Sequence, residues 1–481
     1  MNRFFPDLYR TLSRILTAAV VAAVVITTSS MTAFAQKTTI RGMAPGAEKK
    51  LISMTRPGDL VTFFEKPLAT ARIDSTGAFL LAAGIDQTTN VTLAIGFHKA
   101  EMLLEPGKSY SVSIAPLPYD QYTEVNPFIQ SQNLTLTIEG NDPLELNMLT
   151  GQYNAFYSAF LMEHFNALYK ERRKILLDTF RLQADRRFGK ATNPYFLDYT
   201  AYKVASLEQL TQYYSKAELA RRYFLERPIL YNNLEYMEFF NSYFARYAIA
   251  TSATLRKLDM ASLLAAPDPY KAIMKAYTAD TLLKSEQLRE LVMLKGMMEI
   301  FGTPAGRDED ILRVITQARD ASKFDGNREV AGNLVSLLTR LRQGTAAPGF
   351  TLVDKDQKPH TLEEYRGKPV LLTFWTTYCE GCLAEMDLIR PLYDKYRENI
   401  HFVSISADKY LIKMIYFINM KKDYVWNFLN IGEQAGVLVD YDVRSYPLFV
   451  LVDKDGKIFR YPASLPSEGL EAEIQSMLEK Q

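Results

Sequence analysis

Cysteine is almost missing from this sequence: 481 residues contain only two. That excludes a scaffold stapled by several disulfides. Histidine is scarce as well. The four present, His98, His164, His360 and His401, lie away from both cysteines in sequence. A structural zinc site needs four ligands, and no second cysteine pair is available to complete one. Haem attachment of the c type requires His after the second cysteine, where this chain has Leu383. Charge of one sign is not in excess either, with 56 Lys plus Arg against 55 Asp plus Glu and a net of +1. Nothing in that balance points to a nucleic-acid partner or to an acidic membrane surface. Beyond residue 35 there is no apolar run long enough to span a bilayer.

What is present begins with an export signature. Arg3, Arg10 and Arg14 give a positive start, residues 15–26 form a short apolar run, and Ala33-Phe34-Ala35 has the small-residue pattern of a cleavage site. The expectation is a signal peptide over 1–35 and a mature chain starting near Gln36, soluble in the periplasm or cell envelope. An uncleaved N-terminal anchor is the alternative. No cysteine follows the apolar run, so lipid anchoring of the usual kind is not expected. The length predicts two or three domains. The 29 Tyr and 27 Phe suggest large packed interfaces without naming a ligand.

Residues 36–141 read as a β-sandwich. Short β-prone runs at 38–40, 51–54, 69–74, 78–82, 91–96, 110–114 and 134–138 are separated by turn signals such as Asp74-Ser75-Thr76-Gly77 and Glu105-Pro106-Gly107. These turns, with Ala78-Phe79 and Leu104, resemble a small β domain that precedes thioredoxin-like domains in Bacteroidetes envelope proteins. Residues 142–343 read as an α-helical domain. Tyr153, Phe156, Tyr157 and Phe160 recur at helical spacing, as do Tyr236, Phe240, Tyr243, Phe244 and Tyr247, and Pro228 and Pro267 separate helices. Such stripes can line a groove, but packing between helices is the expectation. A small-residue linker at 344–348 leads into an α/β domain over 344–481, with a buried strand at 369–375, a helix kinked at Pro391, a strand at 401–406 and a hairpin turn at Asp453-Lys454-Asp455-Gly456.

Both cysteines fall in this last region, as Cys379-Glu380-Gly381-Cys382 between the strand and the helix. Two cysteines placed at random in this length take that spacing in roughly one case in 240, so the spacing asks for a chemical reason. A helix N-terminus presents unpaired N–H groups and a positive dipole end, which favour a thiolate on Cys379. Cys382, one turn inward, is placed to resolve a mixed disulfide formed on Cys379.

Phe374-Trp375, the Cys-x-x-Cys pair and Tyr446-Pro447 resemble the thioredoxin superfamily. Ala347-Pro348, Phe350, Gly367-Lys368-Pro369, Cys379-Glu380, Cys382 and Glu385 look specifically like the TlpA/ResA-like envelope thiol–disulfide oxidoreductases. The resemblance covers about 135 residues. It implies a thioredoxin-like fold, a redox role without a cofactor, disulfide-containing envelope proteins as substrates and a membrane-embedded electron-donor protein as the source of reducing equivalents. It implies Cys379 and Cys382 as the redox pair, Glu385 as a proton-transfer group, and Trp375, Tyr446 and a cis Pro447 at the substrate-docking edge. Glu380 beside Cys379 opposes negative charge there, which favours a reductase over a strong oxidant.

The sequence also departs from the pattern. Thr373 stands where thioredoxin has a buried Asp, Gly381 replaces a common proline, and Tyr446 is bulkier than the usual residue before the cis-proline. Two rival readings stay open. A peroxiredoxin shares the fold and the Ala-Pro-x-Phe entry, but Leu372 occupies the proline position of its nucleophile motif. In the other, an inert disulfide sits in a binding scaffold. Against that reading, a disulfide closing so short a loop stabilises little.

Overall fold

The computed structural model describes residues 37–96, 98–116, 132–140, 142–432, 434 and 436–480. The export signal expected at 1–35 lies outside these residues. Among the described residues no helix is long and apolar enough to cross a membrane.

Among the described residues nine strands come first: β1 (Lys37–Met43), β2 (Leu51–Pro57), β3 (Glu65–Arg72), β4 (Ala78–Gly84), β5 (Thr89–Ile95), β6 (His98–Leu104), β7 (Ser109–Ile114), β8 (Gln132–Asn133) and β9 (Leu136–Ile138). They form two sheets, ordered β4-β1-β7-β9 and β3-β2-β5-β6-β8. Alternation along each strand decides which side chains turn inward. In β5, Thr89, Val91, Leu93 and Ile95 are buried, while the residues between them are half-buried. Val91 and Leu93 join Ile40, Ile52, Met54 and Val112 in one apolar cluster fed by both sheets. Gly42 is needed where the packing is closest, because a Cβ there would lie 2.2 Å from the Phe79 ring. Strand β6 is absent from the runs read off the sequence.

Ten α-helices follow among the described residues: α1 (Leu146–Tyr169), α2 (Lys174–Phe188), α3 (Pro194–Leu210), α4 (Lys216–Tyr223), α5 (Leu234–Tyr243), α6 (Met260–Leu264), α7 (Pro269–Tyr277), α8 (Glu286–Ile300), α9 (Asp308–Ala321) and α10 (Asp325–Thr339). Asn193, Ser215, Asn233, Asp268 and Ser285 each accept a first-turn N–H and so fix five of the helix starts. The aromatic stripes are core. Tyr153 and Phe160 pack with Phe180 and Phe196, while Tyr236, Phe240, Tyr243, Phe244 and Tyr247 belong to a second, larger cluster.

The C-terminal sheet contains β10 (Thr351–Val353), β11 (Pro359–Thr361), β12 (Val370–Trp375), β13 (His401–Ser406), β14 (Asn427–Asn430), β15 (Leu448–Val452) and β16 (Ile458–Ala463), in the order β11-β10-β14-β13-β12-β15-β16. Strands β12, β13 and β14 run parallel, and β15 and β16 are antiparallel to their neighbours. The parallel strands are joined through α11 (Glu380–Tyr396) and α12 (Leu411–Met420), and α13 (Gly436–Asp440) and α14 (Leu470–Glu479) complete the helices. All six residues of β12 are buried, as expected for a central strand covered on both faces. Val370, Leu372 and Phe374 point into one cluster, and Leu371 and Trp375 into the other, which also holds Cys382. Helix α11 runs from Glu380 to Tyr396 with Pro391 inside it.

Candidate active site

Strand β12 ends at Trp375, and a tight turn then delivers Cys379 as the N-cap of α11. The Cys379 N–H donates to the Thr376 carbonyl at 3.3 Å. Cys379 and Cys382 are joined by a disulfide with an S–S distance of 2.08 Å and Cα atoms 5.2 Å apart. The Cys382 N–H donates to Cys379 Sγ at 3.1 Å, so this sulfur caps one of the open donors of the first helical turn. The two sulfurs differ in access. Cys379 is half-buried, whereas Cys382 is fully buried beneath α11. Only Cys379 is reachable by a large partner. Beside it Tyr378 is 42% exposed.

The other residues singled out from the sequence are placed differently from one another. Tyr446 precedes a cis peptide to Pro447, and its ring borders the same apolar cluster as Cys379 and Leu383. Burial pushes the Tyr446 hydroxyl well above the ordinary tyrosine range, and the nearby Tyr378 and Asp408 add to that push. Trp375, expected at the docking edge, is fully buried. Strand alternation turns it into the core, where its ring meets Phe417 at 4.9 Å and Phe428 at 5.9 Å. The Trp375 indole N–H and the Thr376 hydroxyl are buried directly below the redox turn without hydrogen-bond partners among the described residues. Glu385 lies one turn beyond Cys382, with its carboxylate accepting from Ser467 N–H at 3.0 Å and from Ser467 Oγ at 2.6 Å. Gly381 sits in the first turn, where an added Cβ would meet nothing within 4 Å.

The sequence did not single out Asp408. It is 1% exposed and lies two residues beyond β13. Its carboxylate accepts from Thr377 N–H at 3.0 Å, from Thr377 Oγ1 at 2.7 Å and from Ser406 Oγ at 2.6 Å. Its carbonyl accepts from Asn430 Nδ2 at 2.7 Å. The available signal was Ser404 and Ser406, two polar residues among the five buried positions of β13.

Cavities of about 620 Å³ on the first sheets and 690 Å³ between α1 and α2 are lined by none of these residues. Among the described residues no group of three or more His, Cys, Asp or Glu side chains is arranged to hold a metal ion.

The Redoxin family model matches residues 342–468. A thiol-disulfide oxidoreductase ResA from Bacillus thuringiensis subsp. konkukian is 30% identical over 143 residues, which is 29% of this chain and 79% of the relative. The chain belongs to the TlpA/ResA-like branch of the thioredoxin superfamily. A Bacillus anthracis ResA is 33% identical over 121 residues, covering 25% of this chain and 68% of the relative. The thioredoxin-like protein YneN of Bacillus subtilis is 31% identical over 121 residues, covering 24% and 69%. A solution structure of a putative thiol-disulfide oxidoreductase from Bacteroides vulgatus aligns with 30% of this chain and 92% of its own, at 26% identity and a TM-score of 0.26. This TlpA/ResA-like protein is a thiol–disulfide oxidoreductase with a thioredoxin-like C-terminal domain, and proteins of this activity act on disulfide-containing protein substrates.

Proposed function

We propose that the protein reduces disulfides of cell-envelope proteins by dithiol exchange, with Cys379 attacking and Cys382 resolving. The Cys379 thiolate attacks one sulfur of a substrate cystine. A bond forms between Cys379 and that sulfur, and the other substrate sulfur leaves as a thiolate and takes up a proton. Cys382 then loses its proton and attacks Cys379 Sγ, which releases the second substrate sulfur. Two electrons pass to the substrate, and the protein is left as the Cys379–Cys382 disulfide. A membrane-embedded dithiol donor returns the two electrons. The observation that carries this reading is the difference in access, with Cys379 half-buried at the tip of α11 and Cys382 buried one turn behind it.

In the same reading, Tyr446 and Pro447 form the substrate-docking edge, with the backbone before Pro447 pairing with an extended substrate segment. Trp375 supports this edge from below. Glu385 takes the Cys382 proton once it lets go of Ser467. Residues 1–35 direct export, 36–141 form a β-sandwich, 142–343 a helical domain and 344–481 the redox domain. The last boundary is supported by Gly344 N–H, which donates to the Ile458 carbonyl and ties the start of this region to β16.

Insulin reduction with a dithiol donor tests the assignment. Cys379→Ser is expected to abolish turnover. Cys382→Ser is expected to abolish turnover while accumulating mixed disulfides with substrate. Wild-type turnover in Cys379→Ser would rule out the mechanism. A reduction potential near that of a strong oxidant would overturn the reductase direction while leaving the exchange chemistry intact.

A further inference from the structure

We infer that Asp408 is a positioning residue for the redox turn and that its buried charge disfavours the Cys379 thiolate, biasing the pair toward reduction of its partners. This rests on the dithiol-exchange reading above. The turn from Thr376 to Cys379 carries the attacking sulfur, and the Asp408 carboxylate, 31 residues from Thr377 in sequence, holds it from outside its own strand and helix. Three donors converge on the carboxylate, two of them from Thr377, two residues before Cys379. The backbone of Asp408 is itself held on both sides. The Asp408 N–H donates to Ser406 Oγ at 3.1 Å, and Asn430 anchors its carbonyl. The Ala407 N–H donates to the Trp375 carbonyl at 2.8 Å and locks the two chain segments side by side. The arrangement spans β12, β13 and β14, so the sheet fixes the position of the turn.

The charge has a direction. A carboxylate buried under the turn raises the free energy of a second negative charge placed on Cys379, and burial weakens the screening between them. The titratable groups that flank Asp408 and the turn are Lys409 and Tyr410, next to it in sequence, Tyr446, which its charge reaches, and Tyr378 and Glu380 on either side of Cys379. Glu380, the residue after Cys379, adds to the field. A less favourable thiolate destabilises the dithiol relative to the disulfide and makes the pair the better electron donor.

The test uses the full-length protein with Asp408→Asn and Thr377→Val. Three quantities are measured: the pH profile of Cys379 alkylation in the reduced protein, the equilibrium in which protein disulfide plus two glutathione gives protein dithiol plus glutathione disulfide, and insulin-reduction kcat and KM. Asp408→Asn is expected to move the alkylation profile to lower pH, with a rate at mildly acidic pH raised roughly threefold, and to shift the glutathione equilibrium toward dithiol by a similar factor. Thr377→Val keeps the charge and loses one hydrogen bond to it, so the profile should stay in place while kcat falls about threefold at unchanged KM. An Asp408→Asn protein that melts cooperatively with the wild-type profile and equilibrium overturns the proposal. Should Asp408→Asn not fold, an unchanged kcat in Thr377→Val overturns it instead. A wild-type protein inactive on insulin points to failure of the exchange reading itself, independently of either variant.

Discussion

Glu385 illustrates what one side chain can be asked to do in two settings. In the disulfide form both of its oxygens are engaged by Ser467, where they hold the short turn Pro466–Glu468 against α11. The proposed proton transfer requires that pair of hydrogen bonds to open during resolution. The two roles separate by mutation. Glu385→Gln leaves one of the two Ser467 donors facing an amide nitrogen, at a stability cost of about 1 kcal/mol. It should also slow resolution by Cys382 roughly tenfold and flatten its pH dependence, as expected when a general base is lost. Ser467→Ala removes a hydrogen bond and keeps the carboxylate, so its pH dependence should match wild type. Stopped-flow measurement of mixed-disulfide decay against pH distinguishes them, and identical profiles in Glu385→Gln and wild type would remove the proton-transfer role. The redox pair was legible at this scale because its chemistry is written in the spacing of two residues. Asp408 was not, because its partnership with Thr377 exists only once β12 and β13 pair in parallel. Trp375 closes the buried strand β12, and its ring packs in the cluster that also holds Cys382.

At the scale of elements, helix α11 gathers most of the site. Its start is capped by a sulfur, an acidic residue lies in its first turn, and Gly381 sits between the two cysteines. The glycine is not required by its surroundings. Its backbone lies outside the left-handed region, and an added Cβ would meet no atom within 4 Å. Gly381→Ala should therefore stabilise the protein by about 0.5–1 kcal/mol, through the unfolded chain and helix propensity. A rise in denaturant midpoint with unchanged slope would show it, and a fall would mean that the turn needs the glycine's freedom. The helices and most strands were readable from period and from turn residues. Strand β6 was not. Its inward residues do not share a single core, since Ala100 and Met102 join the cluster between the first sheets while Leu103 packs against α1. A strand that serves two cores loses the simple alternation that makes strands visible.

The same sharing joins the whole molecule. The loop after β2 sends Leu60 and Val61 into the core of the helical region, where each buried side chain contributes about 1.5–3 kcal/mol. Asp59 accepts from Val61 N–H at 2.8 Å and Thr62 N–H at 2.7 Å, and Asn333 Nδ2 on α10 donates to it at 2.7 Å. Strands and helices that read as separate in sequence are thus held by a buried polar contact inside an apolar one. The C-terminal region is coupled to the first strands through charge, and this gives a dependence on pH. Burial holds His98 on β6 below the ordinary histidine range, and Lys409 and Lys50 push the same way. His401, at the start of β13, is lowered by burial and by Lys368. For both residues the folded protein prefers the neutral ring, while the unfolded chain protonates near pH 6.5. Stability from this source is complete above about pH 6.5 and is lost as pH falls from there toward the lowered folded values, because only the unfolded state takes up the protons. Burial holds Asp198, Glu208, Glu235 and Asp440 above the ordinary carboxylate range, and these work in the opposite direction, so thermal melts read the histidines as their own share of the Tm change from pH 7.5 to pH 5.5, a drop on acidification. Replacing His98 and His401 together by Gln should remove a large part of that drop. If the double variant shows the same Tm change as wild type, the pH dependence arises from other groups and the buried histidines carry none of it.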